Sequence, residues 1–198
     1  GPVVLVDTAD CCGGGAAGDS IAVLRALLAL GVAETTYLMV VDPIAAVACI
    51  AAGIGAEVSI SVGYGIDPSW GDPIPVTGSV TTISDGRFVY QGGVFGGTEG
   101  SMGPSVVLRI GGIHLLVMSE PTYDWLDEQY RAVGLDPRRA KFIGAKNPMN
   151  YRFAYGDIAA AMLVVDTPGP TPAHVRHLPY RSIDRPAFPF EDAPDPPR

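Results

Sequence analysis

The residues best suited to chemistry form a glycine-rich loop that runs from Cys11 to Ser20. Its sequence is Cys-Cys-Gly-Gly-Gly-Ala-Ala-Gly-Asp-Ser, and it lies between a predicted apolar strand and a predicted helix. Glycines in such a place let backbone N–H groups converge near the positive end of a helix, which suits an anion or a developing oxyanion. The same residues also fit a tight turn that lets the helix pack on the sheet. The candidate binding residues here are Gly13, Gly14, Gly15 and Asp19.

Two nucleotide-binding motifs fit this loop poorly. A P-loop needs Lys followed by Ser or Thr after its last glycine, and this chain has Asp19-Ser20 there. The dinucleotide fingerprint GxGxxG fits only loosely, and the one acidic residue at the end of the second predicted strand is Asp42. The loop is therefore not a P-loop and is a poor dinucleotide site.

A second candidate region follows directly on a predicted strand and reads Lys146-Asn147-Pro148-Met149-Asn150-Tyr151-Arg152. In an acidic protein, two cations clustered at such a place are suited to gripping a carboxylate. The other interpretation is a solvated surface segment. The candidate residues of this region are Lys146, Asn150 and Arg152.

The remaining reactive side chains give weaker signals. Asp7, Asp10 and Asp19 flank the glycine loop, but hard cations need more oxygen ligands at closer spacing, which favours capping and turn roles. The Cys11-Cys12 pair has no Cys-x-x-Cys spacing or histidine cluster that would support zinc. The sequence also has no HExxH motif and no nucleophile elbow. We therefore predict neither a metal site nor a catalytic triad within this chain.

A strand–helix–strand–helix–strand unit is predicted to position the glycine loop. Strands over residues 3–7, 35–41 and 57–62 alternate with helices over residues 19–30 and 43–52. This order predicts parallel pairing with right-handed crossovers. A single arginine interrupts the apolar surface of the first helix, so we expect that helix to be buried nearly all round.

Hairpins are predicted after this unit. Strands over residues 76–84 and 87–91 would turn at Asp85-Gly86, and strands over 105–110 and 113–119 would form a second hairpin. Six glycines link the two hairpins, and they fit either a lid that approaches a ligand or a disordered loop.

The rest of the chain completes the predicted sheet and adds a tail. We predict a helix over residues 123–133 and strands over 141–145 and 159–165. Nine of the eighteen prolines lie within residues 168–198, which excludes a helix or a central strand and predicts an extended arm over this domain or a neighbour. The predicted fold class is α/β: a three-layer-like domain over residues 1–167 with a mixed, partly parallel sheet, added hairpins and the arm.

Composition excludes several classes of partner. A net charge of −8 argues against nucleic acid and against an anionic membrane surface. The longest apolar run, over residues 44–56, is too short to span a bilayer. Three cysteines without framework spacing, and no signal-peptide pattern, predict a cytoplasmic protein. A charged content of 17%, against a typical figure of about 25%, fits either a surface hidden against a partner or an uncharged polar surface.

Several segments, in their order along the chain, resemble the C-terminal domain of the microcystinase-C-like (MlrC-type) metallopeptidase family. The resemblance covers essentially the whole chain. The matching segments are Gly1-Pro2-Val3-Val4-Leu5, Gly13-Gly14-Gly15 with Gly18-Asp19, Asp42-Pro43, Ala52-Gly53-Ile54-Gly55-Ala56, Met102-Gly103, Leu135-Asp136-Pro137, Lys146 to Arg152 and Val165-Asp166-Thr167-Pro168-Gly169.

Two departures from the family pattern bear on activity. The family usually has Asn-Pro where this chain has Cys11-Cys12. It usually also has a Ser and a His within the segment where this chain has Asn147 and Asn150. If that His stabilises a reaction intermediate, the activity or the substrate of this chain differs from that of its relatives.

The resemblance implies a zinc-dependent amide or peptide hydrolase whose zinc ligands belong to an N-terminal domain outside this sequence. That domain would supply zinc and its activated water. This chain would complete the pocket, with Gly13–Gly15 steadying the substrate or an oxyanion and with Lys146 and Arg152 orienting a substrate carboxylate. The implied partners are that domain and a small peptide or amide, and homo-oligomerisation is open. The abrupt start at Gly1-Pro2 fits a cut from a larger chain or upstream residues that this sequence does not include.

Two functions from other classes remain open at this point. One is a binding module whose glycine loop holds phosphate or another small anion without catalysis. The other is a structural subunit, such as one half of a heteromer.

Overall fold

A computed structural model describes residues 1–184 and 187–191, which form one eight-stranded sheet, one two-stranded sheet and four α-helices. The strands are β1 (Val3–Asp7), β2 (Thr36–Val41), β3 (Glu57–Val62), β4 (Ile74–Ser84), β5 (Arg87–Val89), β6 (Glu99–Ser101), β7 (Ser105–Ile110), β8 (Ile113–Met118), β9 (Phe142–Ala145) and β10 (Ala161–Val165). The helices are α1 (Ala22–Ala29), α2 (Pro43–Ala52), α3 (Glu128–Ala132) and α4 (Tyr151–Tyr155).

The large sheet has the strand order β10-β1-β9-β2-β8-β7-β4-β3. The five strands from β10 to β8 run parallel, and β7, β4 and β3 join them as an antiparallel extension. All six residues of β2 are buried, as expected for a central strand covered on both faces. The predicted mixed α/β sheet is therefore confirmed.

Two apolar clusters cover opposite faces of this sheet. Along β2, Tyr37 and Met39 belong to one cluster and Leu38 and Val40 to the other, as alternation in a strand requires. Helices α1 and α2 pack on the second face, whereas α3 and α4 pack on the first. The result is a three-layer arrangement. No helix within the described part of the chain is long and apolar enough to cross a membrane.

The structure corrects two predictions about the first unit. Strand β3 pairs antiparallel with β4 at the sheet edge instead of parallel, because the chain turns straight back without a crossover helix. Helix α1 begins at Ala22, and its outer residues, including Arg25 and Ala26, are exposed, so it is not buried all round. One helical face meets the sheet, and no described element covers the other.

Two predictions in the middle of the chain are also wrong in part. The first predicted hairpin does not form, because β4 pairs with β3 and β7, whereas β5 pairs with β6. The second hairpin, β7 with β8, is confirmed. The helix predicted over residues 123–133 is limited to α3, because side chains of Asn147 and Asn150 bind carbonyls within residues 124–125.

The described part of the C-terminal arm contains one short 3-10 turn, Val175–His177. Its beginning is bound to the loop after β1: the backbone N–H of Thr171 donates to Ala9 O at 2.9 Å, and its hydroxyl donates to Thr8 O at 2.8 Å. Residues 185–186 and 192–198 of the arm lie outside the described residues. The predicted boundary after residue 167 stays a prediction.

Candidate functional site

The candidate site lies where the loops after β1 and β9 meet. These strands are parallel neighbours, with Val6 opposite Ala145, so Asp7 and Lys146 lie side by side at the carboxyl edge of the sheet. The chain leaves β1 towards α1 on one face and leaves β9 towards α4 on the other face. Such a change of direction opens a crevice at the strand ends, which is the general ligand position in open α/β sheets. The two segments singled out in the sequence are thus brought together here.

Lys146 lies at the base of this crevice within a buried charge cluster. Its side chain is 8% exposed, and its Nζ donates to Asp10 Oδ2 at 2.5 Å and to Ser20 O at 2.8 Å. The carboxylate of Asp7 lies 3.9 Å away. Burial acts to lower the pKa of Lys146, but the carboxylates of Asp7 and Asp10 outweigh burial and raise it above its ordinary value. The ammonium is therefore charged and already paired inside the protein.

Asp10 links the glycine loop to this cluster, whereas Asp19 faces elsewhere. The carboxylate of Asp10 accepts the N–H of Gly18 at 2.8 Å and that of Ser20 at 2.7 Å, in addition to its bond with Lys146. Asp19 Oδ2 instead accepts two backbone N–H groups of the loop after β3, at residues 66–67. These bonds are the turn roles predicted for the acidic residues.

The glycine turn satisfies its own polar groups. Residues Cys12–Gly14 form one 3-10 turn, which Gly15 closes with a φ of 92°, a left-handed conformation that favours glycine. The N–H groups of Gly14 and Gly15 donate to the carbonyls of the two cysteines at 2.9 and 3.0 Å. The turn itself is exposed, so its surface is main chain without side chains.

Beside this turn, the thiol of Cys11 is buried and that of Cys12 is half-buried, and both are protonated. Burial raises the pKa of Cys11, while hydrogen bonds from the N–H groups of Gly14 and Gly13 act in the opposite direction. Burial also raises the pKa of Cys12 to about 12, and the nearby carboxylate of Asp124 adds to the rise. Both cysteines are free of disulfides. The N–H groups of Gly13 and Gly14 are thus directed in part at the sulfur of Cys11. Neither cysteine is a reactive thiolate at neutral pH.

The loop after β8, residues 121–127, forms a third wall that sequence reasoning missed. Tyr123 packs on the glycine turn so closely that a Cβ on Gly13 would lie 2.5 Å from its ring. Its hydroxyl donates to Asn147 Oδ1 at 3.0 Å, and Asn147 Nδ2 donates to Asp124 O at 2.7 Å. The side-chain amide of Asn147 therefore joins the loop after β9 to the loop after β8. The sequence signal that could have identified this loop is its position directly after an apolar strand, β8, at the same carboxyl edge of the sheet as Lys146.

Asp124 is the most perturbed acid of the site. It is buried, and its Oδ2 accepts the backbone N–H of Lys146 at 2.8 Å. Burial raises its pKa to about 7, the N–H and ammonium of Lys146 oppose that rise, and the carboxylate of Asp7 adds to it. Near neutral pH this buried carboxyl group is therefore partly protonated.

Asn150 and Arg152 occupy the outer part of the site. Asn150 Nδ2 donates to Trp125 O at 2.7 Å, which fixes the start of α4 on the missed loop. Arg152 is exposed, and its guanidinium lies 4.6 Å above the ring centre of the buried Tyr151. No ion pair joins Arg152 to the glycine turn in the described ranges, so the structure does not bring these two predicted groups into contact.

The second glycine-rich loop, residues 92–97, lies on the other side of Tyr123. Its Phe95 has its ring centre 5.1 Å from that of Trp125 and 6.3 Å from that of Tyr123. Gly93 packs directly on the indole of Trp125, whose buried Nε1 has no acceptor within the described part of the chain. This loop, which fitted either a lid or a disordered loop in the sequence, therefore packs on the ring of Trp125 next to the candidate site.

The residues at this site do not form a metal centre. Among the described residues, no group of three or more His, Cys, Asp or Glu side chains is arranged to hold a metal ion. The carboxylates of Asp7 and Asp10 face the ammonium of Lys146, and that of Asp124 accepts its backbone N–H, so a cation there would compete with groups that are already bound. A zinc ion does not fit this set.

Comparison with known proteins identifies the family. Residues 5–182 match the family model described as MlrC C-terminus. The chain belongs to this family. The resemblance inferred from the sequence is thereby confirmed.

Two relatives place this MlrC C-terminus domain within longer proteins. Over 190 residues the chain is 30% identical to Microcystinase C from a Sphingomonas species, a match that covers 96% of this chain and 36% of that protein. It also matches the crystal structure titled putative metallopeptidase from Mesorhizobium sp. BNC1, with a TM-score of 0.83, 26% identity, and coverage of 98% of this chain and 38% of that one. The chain thus spans little more than a third of the length of either relative.

Proposed function

We propose that this chain is the C-terminal domain of a metal-dependent amide or peptide hydrolase and completes the substrate pocket beside a zinc site on an N-terminal domain. The observation that carries the proposal is the convergence of three loops at the carboxyl edge of the sheet, where the chain leaves the parallel neighbours β1 and β9 towards opposite faces. The names of the two relatives, a microcystinase and a metallopeptidase, support the class of reaction.

The exposed glycine turn forms one wall of the proposed pocket. Gly15 leaves open space where a substrate main chain can approach the turn closely, whereas Tyr123 and Thr171 pack on Gly13 and Gly14. Because the amides of Gly14 and Gly15 donate within the turn, we assign the turn a shape-determining role before an oxyanion-binding one. Zinc, when bound on the partner domain, would polarise the scissile carbonyl and supply an activated water.

Arg152 is the group of this chain best placed to bind a substrate carboxylate. Its guanidinium is exposed and stacked on Tyr151, which orients the planar donor group. Lys146 is buried against Asp10, so we assign it to the support of the pocket rather than to direct contact. Asn150 fixes the start of α4, which carries Arg152, and has the same supporting role.

Hydrolysis by the full-length protein tests this proposal. We expect chelation to abolish amide hydrolysis, and we expect Arg152→Ala to raise KM about 10- to 100-fold for peptides with a free carboxylate, the loss expected for one charge-assisted hydrogen bond. Amidated versions of the same peptides should be affected much less. Arg138→Ala, which removes another exposed arginine, should leave KM unchanged. Full activity after both chelation and Arg152→Ala would contradict the proposed function.

An anion-binding module without catalysis is the alternative that the turn geometry favours less. The amides of Gly14 and Gly15 already have acceptors, so an incoming anion would have to displace internal bonds. Phosphate or sulfate that raises the Tm of the chain in a concentration-dependent way would favour this alternative, because a ligand selective for the folded state stabilises it.

A further inference from the structure

Helix α2 is apolar on every side. From Pro43 to Ile54 the chain contains no charged side chain and no polar one except the thiol of Cys49. The inner positions Ala45, Ala46 and Cys49 are buried in the cluster beneath the helix. The outer positions, which we call the outer stripe, are exposed and consist of Ile44, Val47, Ala48 and Ala51.

The outer stripe has the spacing of a helix face that packs against another helix. Its positions follow the pattern i, i+3, i+4 and i+7, which places them in one row along the helix. Ile44 is 78% exposed and Val47 is 64% exposed, and Ile54 just beyond the helix is 68% exposed. A helix that is apolar all round is normally buried, and a contiguous exposed apolar patch marks an interaction surface. Within the described residues, the outer stripe therefore has no partner.

This surface is separate from the candidate hydrolase pocket. Helix α2 packs on β3, β4, β7 and β8, so it covers the antiparallel half of the sheet. The pocket is built by loops after β1, β8 and β9 and by α4, which packs on the opposite face. The domain that would carry the metal is expected at that pocket. The pocket therefore does not account for the outer stripe.

We propose that the outer stripe is the interface between two copies of this chain, packed antiparallel about a two-fold axis. If the axis passes between Val47 and Ala48, then Val47 of one copy meets Ala48 of the other, and Ile44 meets Ala51. Each large side chain then faces a small one, so the two rows interdigitate at close range. The antiparallel arrangement also places opposite helix dipole ends together. The order of large and small residues along the stripe is thus self-complementary.

Other occupants fit these observations less well. An anionic lipid surface attracts helices rich in Lys and Arg, whereas this helix has neither and the chain carries a net charge of −8. An unrelated protein would not require the reciprocal order of large and small residues. Ten helical residues span only about 15 Å, so the contact is smaller than a standard interface of roughly 800 Å² per partner. We expect a weak dimer whose population rises with concentration.

Sedimentation equilibrium over a range of concentrations tests the dimer. We expect Val47→Lys to weaken association at least about 10-fold, because it would bury an unpaired charge at the centre of the contact. Val94→Lys is the matched control, since Val94 is 82% exposed in the glycine loop at residues 92–97, and it should associate like the unmodified chain. A chain that is monomeric at every concentration, or a dimer unaffected by Val47→Lys, would overturn the proposal.

Disulfide cross-linking provides a second test that does not depend on the folding of a lysine variant. Under mild oxidation, Ala48→Cys should form a cross-linked dimer, whereas the unmodified chain and Val94→Cys should not. The same comparison in the full-length protein identifies other occupants. An introduced thiol there that is shielded from labelling without forming a cross-link, or shielded only by added lipid vesicles, would overturn the proposal. None of these outcomes depends on whether the protein hydrolyses amides.

Discussion

Two glycine-rich loops flank Tyr123, one at residues 13–18 and one at residues 92–97, and different forces hold them. The carboxylate of Asp10 joins the first loop to the sheet. It accepts the N–H groups of Gly18 and Ser20 and binds the buried ammonium of Lys146. The second loop is held by ring contacts of Phe95 and by packing of Gly93 on an indole. Directional bonds between buried charges fix a loop in one geometry, whereas ring contacts at the surface permit rearrangement. Similar glycine content therefore gives a rigid wall in one case and a cover in the other.

Removal of the buried cation should have the largest effect on the first loop. In Lys146→Met, the carboxylates of Asp10 and Asp7 would remain buried without their partner, which destabilises a protein by about 3–5 kcal/mol. Urea denaturation measures the free energy of unfolding. The matched control is Lys141→Met, because Lys141 is exposed and its replacement should change stability by less than about 0.5 kcal/mol. Equal stabilities for the two variants would mean that the charge network does not hold the loop.

The pH dependence of stability should report on Asp124. Its pKa is about 7 in the folded protein and about 4 when unfolded, so the folded state binds the proton more tightly. This acid therefore stabilises the fold at low pH, and its contribution is lost as pH rises from about 4 to about 7, by up to about 4 kcal/mol.

Asp124→Asn should remove that loss. Stability of the variant relative to the unmodified chain should rise between pH 4 and pH 8, as measured by urea titrations at both ends of the range. Asp157→Asn replaces an exposed carboxylate and should show no such trend. If the pH profile is the same with and without the Asp124 carboxyl group, the pKa of Asp124 is not raised in the folded protein.

A single added methyl group should disturb the wall between the two loops. In Gly13→Ala the new Cβ would overlap the ring of Tyr123, which must move and release its hydrogen bond to Asn147. We expect a loss of about 1–3 kcal/mol, as for other overpacked positions. Gly65→Ala is the control, because no atom lies within 4 Å of its added Cβ. If both alanines are tolerated equally, the ring does not pack on the turn as described.

The smallest effect on global stability is expected for the second loop. Phe95→Ala removes ring contacts with Tyr90, Tyr123 and Trp125 from a side chain that is 38% exposed, so we expect a total loss of about 0.5–1.5 kcal/mol. The local change should be larger, since the loop would uncover Trp125. Acrylamide quenching in a Trp70→Phe background should increase for Phe95→Ala but not for Val94→Ala. Unchanged quenching would show that the ring does not hold the loop closed.

Sequence reasoning located the strands that build the site, and the physical reason is their burial. Strands β1 and β2 are central in the sheet, so their apolar runs are visible without any knowledge of neighbours. The loops after β1 and β9 were recognised by their unusual composition. The direction of β3 was not predictable from its alternating pattern, because a half-exposed strand has the same pattern in either orientation.

The roles of individual side chains were harder to predict, because distant residues decide them. The partner that holds Lys146 within the protein, Asp10, is 136 positions away in the sequence. The apparent helix at residues 123–133 was shortened by two asparagines more than twenty residues downstream. Local patterns do not contain such contacts, so a lysine predicted to grip a substrate was found inside an ion pair.

The insertion of β9 between β1 and β2 also constrains the order in which the molecule can form. The partners of β1 are β9 and β10, so β1 cannot form its native pairing until residues 142–165 have been synthesised. Strands β2, β8, β7, β4 and β3 are complete once residue 118 is present and can assemble among themselves. We therefore expect β1 to pair late, after that part of the sheet has formed, and the same step to bring Lys146 to Asp10.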